Sequence, residues 1–312
     1  MCLLFFVWGT TTWAAEYDIY IGGTSGVQVT DDNKDDIQSP YLRSGKIYYL
    51  PESNELCLQN VVAEVPDSKP FLYCQQGASF KITLIGENTI TVNGGTAIDL
   101  YPSTTIGAET FATIKITGAD TGIFVSGMLT ISKCTMTVSG TEYGIHGKYA
   151  NYPMKIDDAN LLVTGDTKPI YGFYKVDYNQ AYLLFPSNVT YSPSQLCFLV
   201  TGTTTPSTGS FYFERCHLMV GGEYVYPNTP ITAGVKKGTV SYNFSTHTLT
   251  LDNATIETTG TSSDLSRPIR FSWQNDMIIR LIGNNEIHTT GEFGVEADNM
   301  DYYQFYYSHL NE

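Results

Sequence analysis

The chain has 312 residues, 42% of them apolar and only 15% charged, with 28 glycines and 23 tyrosines. That length supports a substantial core in one or two domains, and low charge with abundant Thr, Tyr, Ile and Val favours strand over helix. The formal net charge of −14, from 17 basic against 31 acidic residues, argues against nucleic acid or anionic lipid as a partner, since both are held through Lys and Arg; cations and neutral ligands such as sugars stay compatible.

Residues 1–15, MCLLFFVWGTTTWAA, pass from an apolar run to small residues ending in Ala14-Ala15, the layout of a secretory signal peptide. No later stretch is long and apolar enough to cross a bilayer. A secreted or cell-surface protein without membrane insertion is therefore expected. Cys2 would leave with the leader. Cys57, Cys74, Cys134, Cys197 and Cys216 would remain, an odd number without CxxC or metal-ligand spacing, and are read as buried thiols.

Residues 16–44 read as an N-terminal cap segment. Within it TDDNKDD, 30–36, gathers Asp31, Asp32, Asp35 and Asp36. Carboxylates are the ligands calcium prefers, but the spacing and central glycine of an EF-hand are missing. Thr30 or Asp31 capping a short turn accounts for the cluster as well, so calcium is only a weak candidate and no other cofactor is expected.

From residue 45 to about 200 the chain repeats itself. Small-plus-apolar pairs recur at Ala97-Ile98, Gly122-Ile123, Gly144-Ile145 and Gly172-Phe173, among strand-like runs such as MLTISKCTMTVSG at 128–140. Apolar residues alternate within these runs, which puts one face inward and one toward solvent. A period of roughly 22–28 residues made only of strands and turns predicts the coils of a parallel β-helix. Asn60, Asn88, Asn160 and Asn253 fall at comparable bends, where Asn tolerates the left-handed conformation. A β-sandwich, the competing all-β fold, would place strands every 8–12 residues without a coil-length period.

Seven tyrosines, Tyr143, Tyr149, Tyr152, Tyr171, Tyr174, Tyr178 and Tyr182, concentrate in two consecutive coils. Sugar rings bind by laying their C–H faces on aromatic rings, and stacked coils can line rings up along one wall. Tyr171, Tyr174 and Tyr178 are the candidate ligand-binding residues on this ground. Ordinary strand propensity and core filling explain any single Tyr equally well.

TGTTTPSTGS, 201–210, has the composition of a linker, after which residues 211–312 read as a truncated second copy of the β-helix. YDIYIGG at 17–23 matches CHLMVGG at 216–222, Gly45 matches Gly238, Asn60 matches Asn253, and FKITLIGENTITVNGG from Phe80 matches MIIRLIGNNEIHTTGE from Met277. The second copy ends in MDYYQFYYSHLNE where the first continues into its best coils, so a poorly packed stretch is expected beyond about residue 298.

These blocks, above all KGTVSYNFSTHTLTLDNATI and ITLIGENTI, resemble repeats of bacterial secreted β-helix proteins described as carbohydrate-binding-domain proteins. The resemblance covers most of 17–200 and again 216–298. It implies a right-handed parallel β-helix and a role in glycan binding or adhesion, and it transfers no catalytic or binding motif to numbered positions.

Catalytic chemistry is sparse. A polysaccharide lyase needs acidic calcium ligands beside a basic residue, yet the only arginines are Arg43, Arg215, Arg267, Arg270 and Arg280, outside the best-formed coils. Asp157-Asp158 is the only adjacent acidic pair there, and neighbouring strand residues point to opposite faces. The five histidines are scattered and no GxSxG occurs. The expectation is a non-catalytic β-helix protein binding a polysaccharide or a host or cell-surface glycan. The alternatives are a lyase or glycoside hydrolase acting on an acidic polysaccharide, marked by carboxylates and Lys or Arg in one groove, and a structural spacer.

Overall fold

A computed structural model describes residues 14–259, 267–272, 277–290 and 294–298. The expected leader, 1–15, lies almost wholly outside these residues, as does the stretch beyond 298 expected to pack poorly. The described chain is all-β, with one short 3-10 turn at Pro51–Ser53 and no α-helix. It divides into two compact units, residues 1–214 and 215–312.

The first unit is a parallel β-solenoid of about five turns. Each coil contributes a strand to each of three parallel ladders, referred to here as the first, second and third faces. Partners in neighbouring coils lie 21 to 27 positions apart, from Gly140 beside Ala119 to Val62 beside Thr89, close to the period in the sequence.

The inward positions form three columns of stacked apolar side chains. Leu56, Ile82, Ile106, Ile131 and Ile156 stack behind the first face. Ala63, Ile90, Ile116, Val138 and Val163 stack behind the second. Leu72, Ile98, Ile123, Ile145 and Ile170 stack behind the third. All are fully buried, and a branched aliphatic chain contributes about 1.5–3 kcal/mol on full burial. Identical side chains at one register position explain why isoleucine recurs at coil spacing.

The corner between the first and second faces is turned by single residues in the left-handed region. Asn60 (φ 50°), Gly86 (φ 67°), Lys133 (φ 51°) and Asp158 (φ 51°) each occupy it in their own coil. Asn88 and Asn160 do not. Asn88 is buried and ties three coils together: its Oδ1 accepts from Val61 N at 2.9 Å, and its Nδ2 donates to Thr113 O at 3.2 Å. The pair Gly172-Phe173 is likewise not equivalent to the earlier pairs. The residue that follows Ile145 in the third column is Ile170, while Gly172 (φ 90°) turns the corner after it.

The segment 201–210 is built as the turn between strands Cys197–Val200 and Gly209–Arg215. Val200 N donates to Thr205 O and Ser207 N to Phe198 O. The second of these strands runs antiparallel along Asn160–Gly165, with Phe211 beside Val163. The stretch expected to link two domains thus closes the first unit, and the division falls between Glu214 and Arg215.

In the second unit a hairpin of Val235–Asn243 and Thr248–Thr258 runs parallel to Ile278–Ile282 and Glu286–Thr289. Its local construction repeats that of the first unit's opening hairpin. A Cβ at Gly45 would collide with the Asn60 carbonyl, and one at Gly238 with the Asn253 carbonyl. Asn285 Oδ1 accepts from Ala254 N at 2.8 Å, as Asn88 does from Val61. Asn253 is left-handed (φ 48°), as Asn60 is. At these positions the matched sequence blocks show the same local geometry. All five cysteines of the described residues are buried free thiols.

Candidate functional site

The outward positions of the third face differ from those of the second. On the second face they are mostly hydroxyls: Thr91 lies beside Thr117, Thr113 beside Thr135, and Thr164 beside Ser210. On the third face one register row reads Tyr20, Tyr73, Asp99, Phe124, His146 and Tyr171, one residue per strand across adjoining strands. Each is half-buried, its neighbours in the row covering part of it.

The rings touch. Tyr20 and Tyr73 meet edge-on at 6.1 Å between centroids, and Tyr73 and Tyr101 at 5.6 Å. Phe124 meets His146 edge-on at 5.2 Å. Tyr143 stacks on Tyr171 at 5.6 Å with 21° between planes, and His146 lies 4.7 Å from Tyr143 and 5.2 Å from Tyr171. Two lysines rest on this surface. Lys168 Nζ stands 4.0 Å from the Tyr171 ring centre, and Lys148 Nζ 5.3 Å from Tyr101 and 5.1 Å from Tyr149.

Asp99 interrupts the rings. Burial pushes its carboxyl up to about 6, and the Lys148 charge only partly opposes this. Its Oδ1 is covered and has no hydrogen-bond partner. Burial, with the nearby Lys168 charge, lowers His146 from its ordinary value, which keeps the imidazole neutral at pH 7.

Of the three tyrosines singled out from the sequence, Tyr171 belongs to this row. Tyr174 lies on the turn after it, exposed, with its N–H donated to Tyr152 O at 3.2 Å. Tyr178 is on another ladder: it pairs with Ile156 in the first face's inward column, with its ring 5.9 Å from Phe213. It ends the stacked core and does not extend the platform. The row itself was readable as the residue after each apolar column member, Leu72, Ile98, Ile123, Ile145 and Ile170; counting tyrosines instead of register positions misses Asp99, Phe124 and His146.

In the acidic cluster, Asp31 is engaged as a structural hub. It accepts from Ala15 N at 3.0 Å, Tyr17 Oη at 2.9 Å and Lys34 Nζ at 2.8 Å. The Lys34 bond, then those of Ala15 and Tyr17, hold its carboxyl down at about 2. Asp36 accepts from Gln38 at 2.9 Å, and Asp32 and Asp35 are exposed. Among the described residues no three His, Cys, Asp or Glu side chains come together in a metal-binding group.

A second region lies on the first face. A groove of about 470 Å³ is lined by Thr130, Lys155, Asp157, Asp177 and Asn179, with Lys155 opposite Asp177 and Asp157 opposite Asn179 in register. Asp177 is paired with Lys175 at 2.7 Å, and Asp157 accepts from Asn179 at 2.8 Å.

A scan against protein-family models, a search of curated proteins and a search of solved structures each return no match.

Proposed function

We propose that the third face binds carbohydrate, in a protein acting outside the cytoplasm at or near a cell surface. The observation carrying this is the row of touching rings on adjoining strands, broken at Asp99, with Tyr143 stacked on Tyr171. The coil step of about 4.8 Å is close to the length one pyranose adds to an extended polysaccharide, so rings and sugars can stay in phase along the solenoid axis. Tyr143, His146 and Tyr171 supply flat apolar area with polar edges, suited to C–H faces and hydroxyls together. The likeness of the repeats to secreted carbohydrate-binding-domain proteins points the same way. Glycan-array binding tests it: the double change Tyr143→Ala, Tyr171→Ala should remove retention while the protein still unfolds cooperatively, its melting temperature lowered only by the lost ring contacts. Equal retention by the variant sinks the proposal. A parallel array with chelator present tests whether calcium contributes.

A second reading is favoured by the groove holding Lys155, Asp157 and Asp177, the carboxylate-and-lysine arrangement a polysaccharide-cleaving enzyme would require. Product formation from any retained glycan, lost in Lys155→Met, would establish it.

A further inference from the structure

The rings on the third face carry cations as well as stacking area, and the two together define what kind of sugar would fit. Resting on the carbohydrate reading above, we infer that the ligand is an anionic glycan, one whose sugars bear carboxylates, with Lys148 and Lys168 taking the charge and Tyr143 and Tyr171 the ring.

Lys34, Lys69, Lys81, Lys175 and Arg43 are each paired with a carboxylate. Like Lys46, Lys115, Lys133 and Lys155, Lys148 and Lys168 form no such pair among the described residues, although the chain has 31 acidic residues against 17 basic ones. Their ammoniums instead lie over Tyr101, Tyr149 and Tyr171. A cation over a ring keeps its outer hydrogens free, so each ammonium can still donate a charge-assisted hydrogen bond to a carboxylate while the sugar ring lies against the neighbouring aromatic. Lys168 belongs to the same strand as Tyr171, and Lys148 bridges rings from two different coils. The charges are therefore spread along the solenoid, which suits a polymer with repeated carboxylates more than one charged end group. Asp99 is the acidic residue within the row and forms no ion pair with Lys148, leaving that ammonium available.

The test uses the full chain with a panel of carboxylate-bearing oligosaccharides (oligogalacturonate, oligoalginate, hyaluronan fragments), each beside its neutral methyl ester. At least one acidic probe should bind more than tenfold tighter than its ester, and weaken with added salt. The double change Lys148→Met, Lys168→Met, which keeps the aliphatic stems, should erase that preference. The change Tyr143→Ala, Tyr171→Ala should instead weaken acid and ester alike. Esters binding as tightly as acids, or lysine variants keeping the preference, would overturn the anionic assignment while leaving the stacking platform standing. Wild-type protein retaining neither acidic nor neutral glycans would overturn both.

Discussion

Replacing Asp99 by Asn should stabilise the protein at neutral pH and leave it unchanged in acid. Burial raises the folded carboxyl from 3.8 to about 6, so between these values the folded chain holds a proton that the unfolded chain has released. Stability therefore falls as pH rises from about 4 to about 6 and stays lowered above that. At about 1.36 kcal/mol per tenfold difference, full burial would give about 3 kcal/mol. Solvent reaches part of this side chain and screens it, which reduces the expectation to about 1–2 kcal/mol. Asn keeps the shape and removes the charge, so the whole of that cost should be recovered. For a unit of this size the gain corresponds to about 2–8 °C in melting temperature. Scanning calorimetry of both proteins at pH 7 and at pH 3.5, below both values, reads the difference directly. A melting temperature for Asp99→Asn that is raised equally at both pH values, or at neither, would refute the burial argument.

Asn88→Ala orphans the buried Val61 N–H and the Thr113 carbonyl, and should cost about 2–4 kcal/mol in urea unfolding. Asn285→Ala, which orphans Ala254 N, should lower the second unit's stability through the same bond, and indifference to both changes would undo the account of inter-coil ties. Gly86→Ala meets Asn60 Oδ1 at a φ of 67° and should cost about 1–3 kcal/mol; a variant as stable as the parent would show that the corner has slack. Asp31 is held below its ordinary value, so its contribution to the cap is complete above about pH 4 and lost as pH falls toward 2. The Tyr17 ring resonances, which report its hydrogen bond to Asp31, should shift over that interval, and should not do so in Asp31→Asn.

The coils were legible because two periods coincide in the same residues. Alternation marks Ile114 and Ile116 as sharing a face, and the coil period brings Ile131 over Ile106 and Ile156. Outward positions obey only the second period, and their chemistry is unconstrained by packing, so Phe124 and His146 look unrelated until register is known. Tyr178 misleads for a physical reason: at the open end of a column an aromatic in an inward position remains exposed, and its sequence setting matches that of a surface ring. The 201–210 segment has a linker's composition, yet Thr and Ser hydroxyls and backbone turns serve a hairpin equally well. Thr203 Oγ1, for instance, donates to Val200 O at 2.9 Å. Composition alone does not separate the two cases.

Cross-strand aromatic pairs stabilise sheets by about 0.2–1 kcal/mol each, and that alone would explain rings stacked on a third face. It does not explain the rest of the row. A carboxylate with a covered, unpartnered oxygen lowers stability at pH 7, and the Lys148 and Lys168 ammoniums lie over the rings of this face. The second face shows what the same solenoid does without such demands: Thr91, Thr117, Thr164 and Ser210 stand at equivalent outward positions and bond to each other, Thr91 to Thr117 at 3.5 Å and Thr164 to Ser210 at 3.1 Å. Threonine at Asp99 would have fitted the fold better. Local choices that cost stability without improving packing gather at functional surfaces, and in the first unit Asp99, Lys148 and Lys168 gather on the face whose rings can hold a sugar.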